Sequence, residues 1–179
     1  MTPAEPNLRW LQDSARDLEV LIEDVSDRIA ALAELSVAQW HRYAANWERR
    51  DQVDLFDDAC ESLCRAICAW AGIPLSESEV RSRTDDLVAM IDAGAAIGPR
   101  HWHGRWARNR AEHWIERLVE DVRTHRLTLN DDCALNAISW HRDLSGELLD
   151  KRTAAVELIN VVRPTVAVAW YIMFAAMPL

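Results

Sequence analysis

Apolar residues in this chain recur every three or four positions from Leu8 almost to the last residue, and no useful stretch alternates. A spacing near 3.6 puts such residues on one face of an α-helix, whereas a half-buried strand needs a period of two. The chain is therefore predicted to be all-α. Its 179 residues, 50% of them apolar, are enough to bury a sizeable core. No internal repeat or low-complexity stretch divides it.

Leu8, Leu11, Ala15, Leu18, Ile22, Val25, Ile29 and Leu32 step by threes and fours, an a/d pattern over four heptads that follows Pro3 and Pro6. The stripe then drifts through Trp40, Tyr43 and Trp47. A coiled coil, giving a homo-oligomer through residues 1–34, and an amphipathic helix packed on its own domain both fit this pattern. A second helix is expected over 55–71, closed by Gly72 and Pro74. Ser76 with Glu79 reads as a capping box opening a third, over 77–93. Residues 94–104, broken at Gly98-Pro99, are expected to be the main non-helical insert. Beyond it the pattern predicts a helix over 108–126, with Ala111, Trp114, Ile115, Leu118 and Val122 inward. A loop over 128–132, a short helix over 133–140, a polar break over 141–146 and one long helix over 147–179 complete the reading.

A formal charge of −9 argues against a nucleic-acid surface, and only residues 100–110 are locally basic. No basic segment followed by an apolar run opens the chain, so a cytoplasmic protein is expected. The uncharged run from Pro164 is sixteen residues, short of the roughly 20 that cross a bilayer, and Glu157 and Arg163 interrupt any longer one. A core helix without a membrane span is the expectation. The chain stops while still apolar, so it reads as the front or middle of a longer domain.

Inside that last helix stand Arg163 and Pro164. Proline in a helix interior costs about 3 kcal/mol, and a buried, unpaired guanidinium costs more. Two compensations are open: an anionic ligand gripped bidentately by the arginine, or an ion pair with Glu157 or another carboxylate. Other candidate chemistry is weaker. Cys60, Cys64 and Cys68 lie four apart on one helical face beside Leu63 and Ile67, which suits small core residues better than zinc ligands. His101 and His103 lack a third ligand at suitable spacing. No phosphate-binding glycine loop and no Gly-x-Ser-x-Gly elbow is present.

Four segments carry a family resemblance: residues 54–75, ending Cys68-Ala-Trp-Ala-Gly-Ile-Pro-Leu75; Ala96-Ile-Gly-Pro-Arg-His-Trp102; Arg108-x-Arg-Ala-Glu-x-Trp-Ile115; and Ala155-Val-Glu-Leu-Ile-Asn-Val-Val-Arg-Pro-Thr-Val-Ala-Val168. Together they resemble the middle of bacterial fatty-acid peroxygenases of the cytochrome P450 superfamily. The match runs over about 35–179, whereas 1–34 resembles the family only loosely. The resemblance implies a partial P450 fold ending in the long distal helix, haem b as cofactor, and a fatty acid and hydrogen peroxide as partners. It implies hydroxylation or decarboxylation of the acid. Arg163, with Pro164 beside it, would hold the substrate carboxylate, which itself serves as the acid-base group, and Ala167 would face the haem. The family's Phe-x-x-Gly-x-x-x-Cys-x-Gly loop matches none of the four cysteines, so no haem-iron ligand is expected in this chain and the isolated chain is expected to be inactive. Glu120-Asp-Val-Arg123 echoes the superfamily's Glu-x-x-Arg only formally. The alternative is a helical interaction module without activity of its own.

Overall fold

The computed structural model describes residues 8–95 and 97–177, with side chains from Val25 onward except residue 95. Seven α-helices are present among them: α1 (Leu8–Trp47), α2 (Leu55–Ala71), α3 (Val80–Asp92), α4 (Pro99–Arg123), α5 (Ala134–Trp140), α6 (Lys151–Ala167) and α7 (Ala169–Ala176). No strand occurs among the described residues, only an isolated antiparallel bridge between Arg142 and Leu148. The all-α expectation holds.

Helix α2 is the centre of the packing, touching α1, α3, α6 and α7. Its start is set by Asp54, whose side chain accepts from the Asp57 amide, and its end by Gly72 at φ 75°. Any side chain at Gly72 would collide with Cys133, because a Cβ there would lie 2.4 Å from the Cys133 Sγ. Cys60, Cys64 and Cys68 are buried among Leu63, Ile67, Leu158 and Val162 in the shared core.

Helix α1 is 40 residues long, a rod of about 60 Å, and crosses residue 34 without interruption. Its C-terminal half lies on α2. The Trp47 indole and Arg50 both reach the Asp58 carboxylate, at 2.7 and 2.8 Å, while Tyr43 donates to Glu61 at 2.8 Å and accepts from Arg65 at 3.0 Å. Of the heptad positions, Leu8, Leu11, Ala15, Leu18 and Ile22 lie outside the described side chains. Val25 and Ile29 are exposed, and Leu32 packs against the core.

Three boundaries differ from expectation. The Ser76 hydroxyl does bond Glu79, at 2.6 Å, but regular helix begins only at Val80. The expected insert is far shorter, because α4 already starts at Pro99 behind Gly98 at φ 85°. Gly104, expected to end the non-helical insert, is buried inside α4, where a Cβ would lie 2.2 Å from the Ala93 Cβ. It is a close-approach residue, and no turn occurs there. The last helix starts at Lys151, capped by Asp150, which accepts from the Arg152 and Thr153 amides at 3.0 Å each. Before it, residues 141–149 fold back on themselves through Leu149 N–His141 O at 3.2 Å and Asp143 N–Glu147 O at 2.8 Å.

Candidate functional site

The N-terminal half of α6 is fixed by charge. Glu112 is buried on α4 and receives Arg108 at 2.6 Å from its own helix and Arg152 at 3.1 Å from α6. Lys151 pairs with Glu120, and Arg123 donates to the carbonyls of Ser139 at 2.8 Å and Leu149 at 2.7 Å. Glu120 and Arg123 thus serve different partners, so their Glu-x-x-Arg spacing marks no shared ion pair. Ala154, Ala155, Leu158, Ile159, Val162 and Val166 complete the anchoring by burying one side of α6.

The other side is uncovered. Asn160, Arg163, Pro164, Ala167 and Tyr171 recur at three- and four-residue steps, and all of them are half-buried or exposed. Among the described residues Arg163 makes no hydrogen bond and no ion pair. Glu157 is six residues away and about 120° round the helix, where it lines a different recess with His141 and Val161. The alternative of an Arg163–Glu157 pair is therefore not formed. Burial is also less than the sequence argument assumed: Arg163 is half-buried, so its desolvation cost is smaller than that of a core cation.

Pro164 stands on this face without stopping the helix, which runs on to Ala167. The interruption comes at Val168, whose amide bonds the Thr165 carbonyl at 3.1 Å in a tighter turn before α7 begins. Past it Tyr171 is 73% and Phe174 62% exposed, while Trp170 lies against Phe56 with ring centroids 4.6 Å apart. By length and composition the Lys151–Ala176 rod is apolar enough to cross a bilayer. Its inner face, however, packs on α2, α3 and α4, and it carries Arg152, Glu157 and Arg163. Sequence reasoning saw the apolar run but not which aromatic side chains it leaves outside.

No group of three His, Cys, Asp or Glu side chains able to hold a metal occurs among the described residues. His101 and His103 are exposed on α4. Cys60, Cys64 and Cys68 are enclosed in the α2 core, where burial pushes the Cys60 thiol up to about 12, and Cys133 sits against Gly72.

No protein-family model matches the chain. Solved structures do. Cytochrome P450SP alpha (CYP152B1), in complex with (R)-ibuprofen, shares 43% identity over 84% of this chain at a TM-score of 0.80. Cytochrome P450EX alpha (CYP152N1), solved with myristic acid, shares 40% over 83% at 0.77. Over this span the chain is similar to part of the CYP152 cytochromes P450. A third match, ligand-free cytochrome P450 OleT, is 25% identical at a TM-score of 0.77. The chain spans only 37% of the P450SP alpha chain and 35% of P450EX alpha, so its fold is a partial P450 fold. Among the matching P450SP alpha structures are variants with an arginine replaced by glutamate and with an alanine four positions later replaced by histidine or glutamate. Arg163 and Ala167 of this chain stand in the same spacing.

Proposed function

We propose that this chain is the distal-helix part of a haem-thiolate fatty-acid peroxygenase, in which Arg163 binds the carboxylate of a long-chain fatty acid. One observation carries the reading: Arg163 is a guanidinium with no counter-ion among the described residues, on an uncovered face of an otherwise firmly anchored helix. The relatives supply support, since myristic acid and ibuprofen are both carboxylic acids.

A planar guanidinium offers two parallel N–H donors to a carboxylate, which fixes the ligand in orientation as well as position. Arg163 also keeps that carboxylate ionised, so its free lone pair accepts a proton from hydrogen peroxide and later returns it. Pro164 removes a backbone donor beside this point, and the Asn160–Tyr171 face directs the alkyl chain along the helix. Ala167, one turn beyond Arg163, presents only a methyl group, which suits a flat macrocycle lying against the helix. The residues thus fit one wall of haem b but not its axial ligand, because Cys60, Cys64 and Cys68 are enclosed in the α2 core and Cys133 is packed on Gly72. Haem b, when bound, supplies the iron at which peroxide is activated.

The test is a graft. Residues 35–179 replace the matching segment of P450SP alpha, and peroxide-driven oxidation of myristic acid is assayed. Turnover well above the haem-free background supports the reading; an intact, haem-loaded graft without turnover contradicts it.

A second reading, an interaction module assembling through α1, is favoured by Val25 and Ile29, exposed at successive heptad positions. Sedimentation equilibrium of the chain decides it: a defined oligomer that reverts to monomer in Val25→Asp/Ile29→Asp supports this reading, and a monomeric parent removes it.

A further inference from the structure

A chain of net charge −9 places five arginines and three histidines between residues 100 and 117, against only Glu112 and Glu116. Glu112 is buried and held by Arg108 and Arg152, and Arg110 is held by the buried Asp86. Arg105 and Arg117 make no ion pair among the described residues, whereas Arg100 lines a separate recess with Asp85 and Asp92. The outward stripe of α4 is Trp102, Trp106, Asn109, His113 and Arg117, at steps of three and four. Trp102 is 56% and Trp106 61% exposed, and Arg105 lies over the Trp102 ring at 5.7 Å. Ile97, just ahead of the helix, is 97% exposed. Farther along, Arg83, Asn109, Arg110, His113 and Arg117 line a recess of about 450 Å³ with no carboxylate in its lining. The Arg83 Nε there is buried and has no hydrogen-bond partner, while its Nη2 pairs with Glu79 at 2.9 Å.

We propose that the outward face of α4, with Ile97 at its tip, docks onto an anionic lipid membrane, its arginine-lined recess receiving a headgroup phosphate. Tryptophan beside arginine, with a bare aliphatic residue projecting ahead, suits the boundary between headgroups and acyl chains. Only the local patch counts toward such a surface, because charges beyond about 8 Å are screened at physiological ionic strength. A fluid bilayer also yields around a projecting Ile97, where an acidic protein would need a matching concavity. This inference does not depend on the peroxygenase reading, since it rests on α4 and the recess beside it.

Cosedimentation of the chain with vesicles tests it. Phosphatidylcholine vesicles containing phosphatidylserine should bind the chain, pure phosphatidylcholine should not, and high salt should release it. Arg105→Glu with Arg117→Glu should weaken binding at least about tenfold, given roughly fivefold per cationic side chain near an anionic surface. Trp102→Ala with Trp106→Ala should weaken it several-fold while leaving the salt dependence. Phe174→Asp, on the separate uncovered face of α7, should leave binding unchanged. All variants change exposed positions, and circular dichroism checks that each keeps the parent helicity. The proposal is overturned by equal binding to both vesicle types, by indifference to the arginine reversals, or by loss of binding in Phe174→Asp. It is likewise overturned by binding to polyglutamate but not to vesicles.

Discussion

Glu112 and Arg163 are charges treated in opposite ways by the same pair of helices. Glu112 is enclosed, and two arginines from α4 and α6 compensate it; Arg163 is half-exposed and has no compensating group in the described residues. Removing Arg108 and Arg152 together would strand a buried carboxylate, so Arg108→Ala/Arg152→Ala should lose about 3 kcal/mol of unfolding free energy. Glu112→Gln leaves both arginines in solvent and should cost only about 1 kcal/mol. Urea titration checks the order, and equal losses would contradict the clamp. Thiol chemistry follows the same logic of enclosure. With Cys60, Cys64 and Cys68 buried, a water-soluble thiol reagent at neutral pH should modify Cys133 alone in the native chain, and all four after denaturation. Rapid native labelling of two or more thiols would show that the α2 core opens readily.

At the scale of elements, Glu77 is one of three carboxylates, with Asp58 and Glu61, that tie α1 to the rest, and it is held by Arg65 at 2.6 Å and Arg42 at 2.9 Å. The Arg65 and Arg42 guanidinium groups pull Glu77 from 4.5 down to about 2. Its contribution is present above the ordinary carboxylate pKa and is lost as pH falls from about 4.5 toward about 2. Fluorescence of Trp40 and Trp47 on α1 should therefore change across that window in the parent and less in Glu77→Gln. Superimposable acid titrations would show that Glu77 does not hold α1 in place. Which elements the sequence betrayed depended on how local their signals were. Helix α2 was legible to the residue because Asp54 and Gly72 cap it through adjacent backbone groups. The α4 start was misplaced because Gly104 looks like punctuation, although its missing side chain serves a contact with Ala93 on another element. Pro164 was read correctly as a misfit inside one helix that passes through it; what the sequence did not show is the tightened turn at Val168. The charge anomaly at Arg163 was visible in the chain, whereas its lack of a partner needed the fold, because only packing shows that Glu157 points elsewhere.

For the whole molecule, one side is closed around α2 and the other leaves Arg163, Ala167, Tyr171 and Phe174 outside. The chain spans 37% of the P450SP alpha chain, and none of its four cysteines is placed to bind haem iron. Mixed with haem and reduced under carbon monoxide, the isolated chain should show no thiolate-type Soret band; its appearance would mean that one of the core cysteines can be freed to ligate. The central claim, that Arg163 fixes a carboxylate which does the acid-base work, is tested most directly by add-back in the P450SP alpha graft. Arg163→Ala should nearly abolish peroxide-driven turnover of myristic acid, and Arg163→Lys should recover little, since an ammonium lacks the two-point geometry. The loss should appear in kcat as well as KM. A short carboxylic acid supplied with a non-acidic substrate should then restore turnover in the parent graft and not in Arg163→Ala; equal restoration in both would contradict the account.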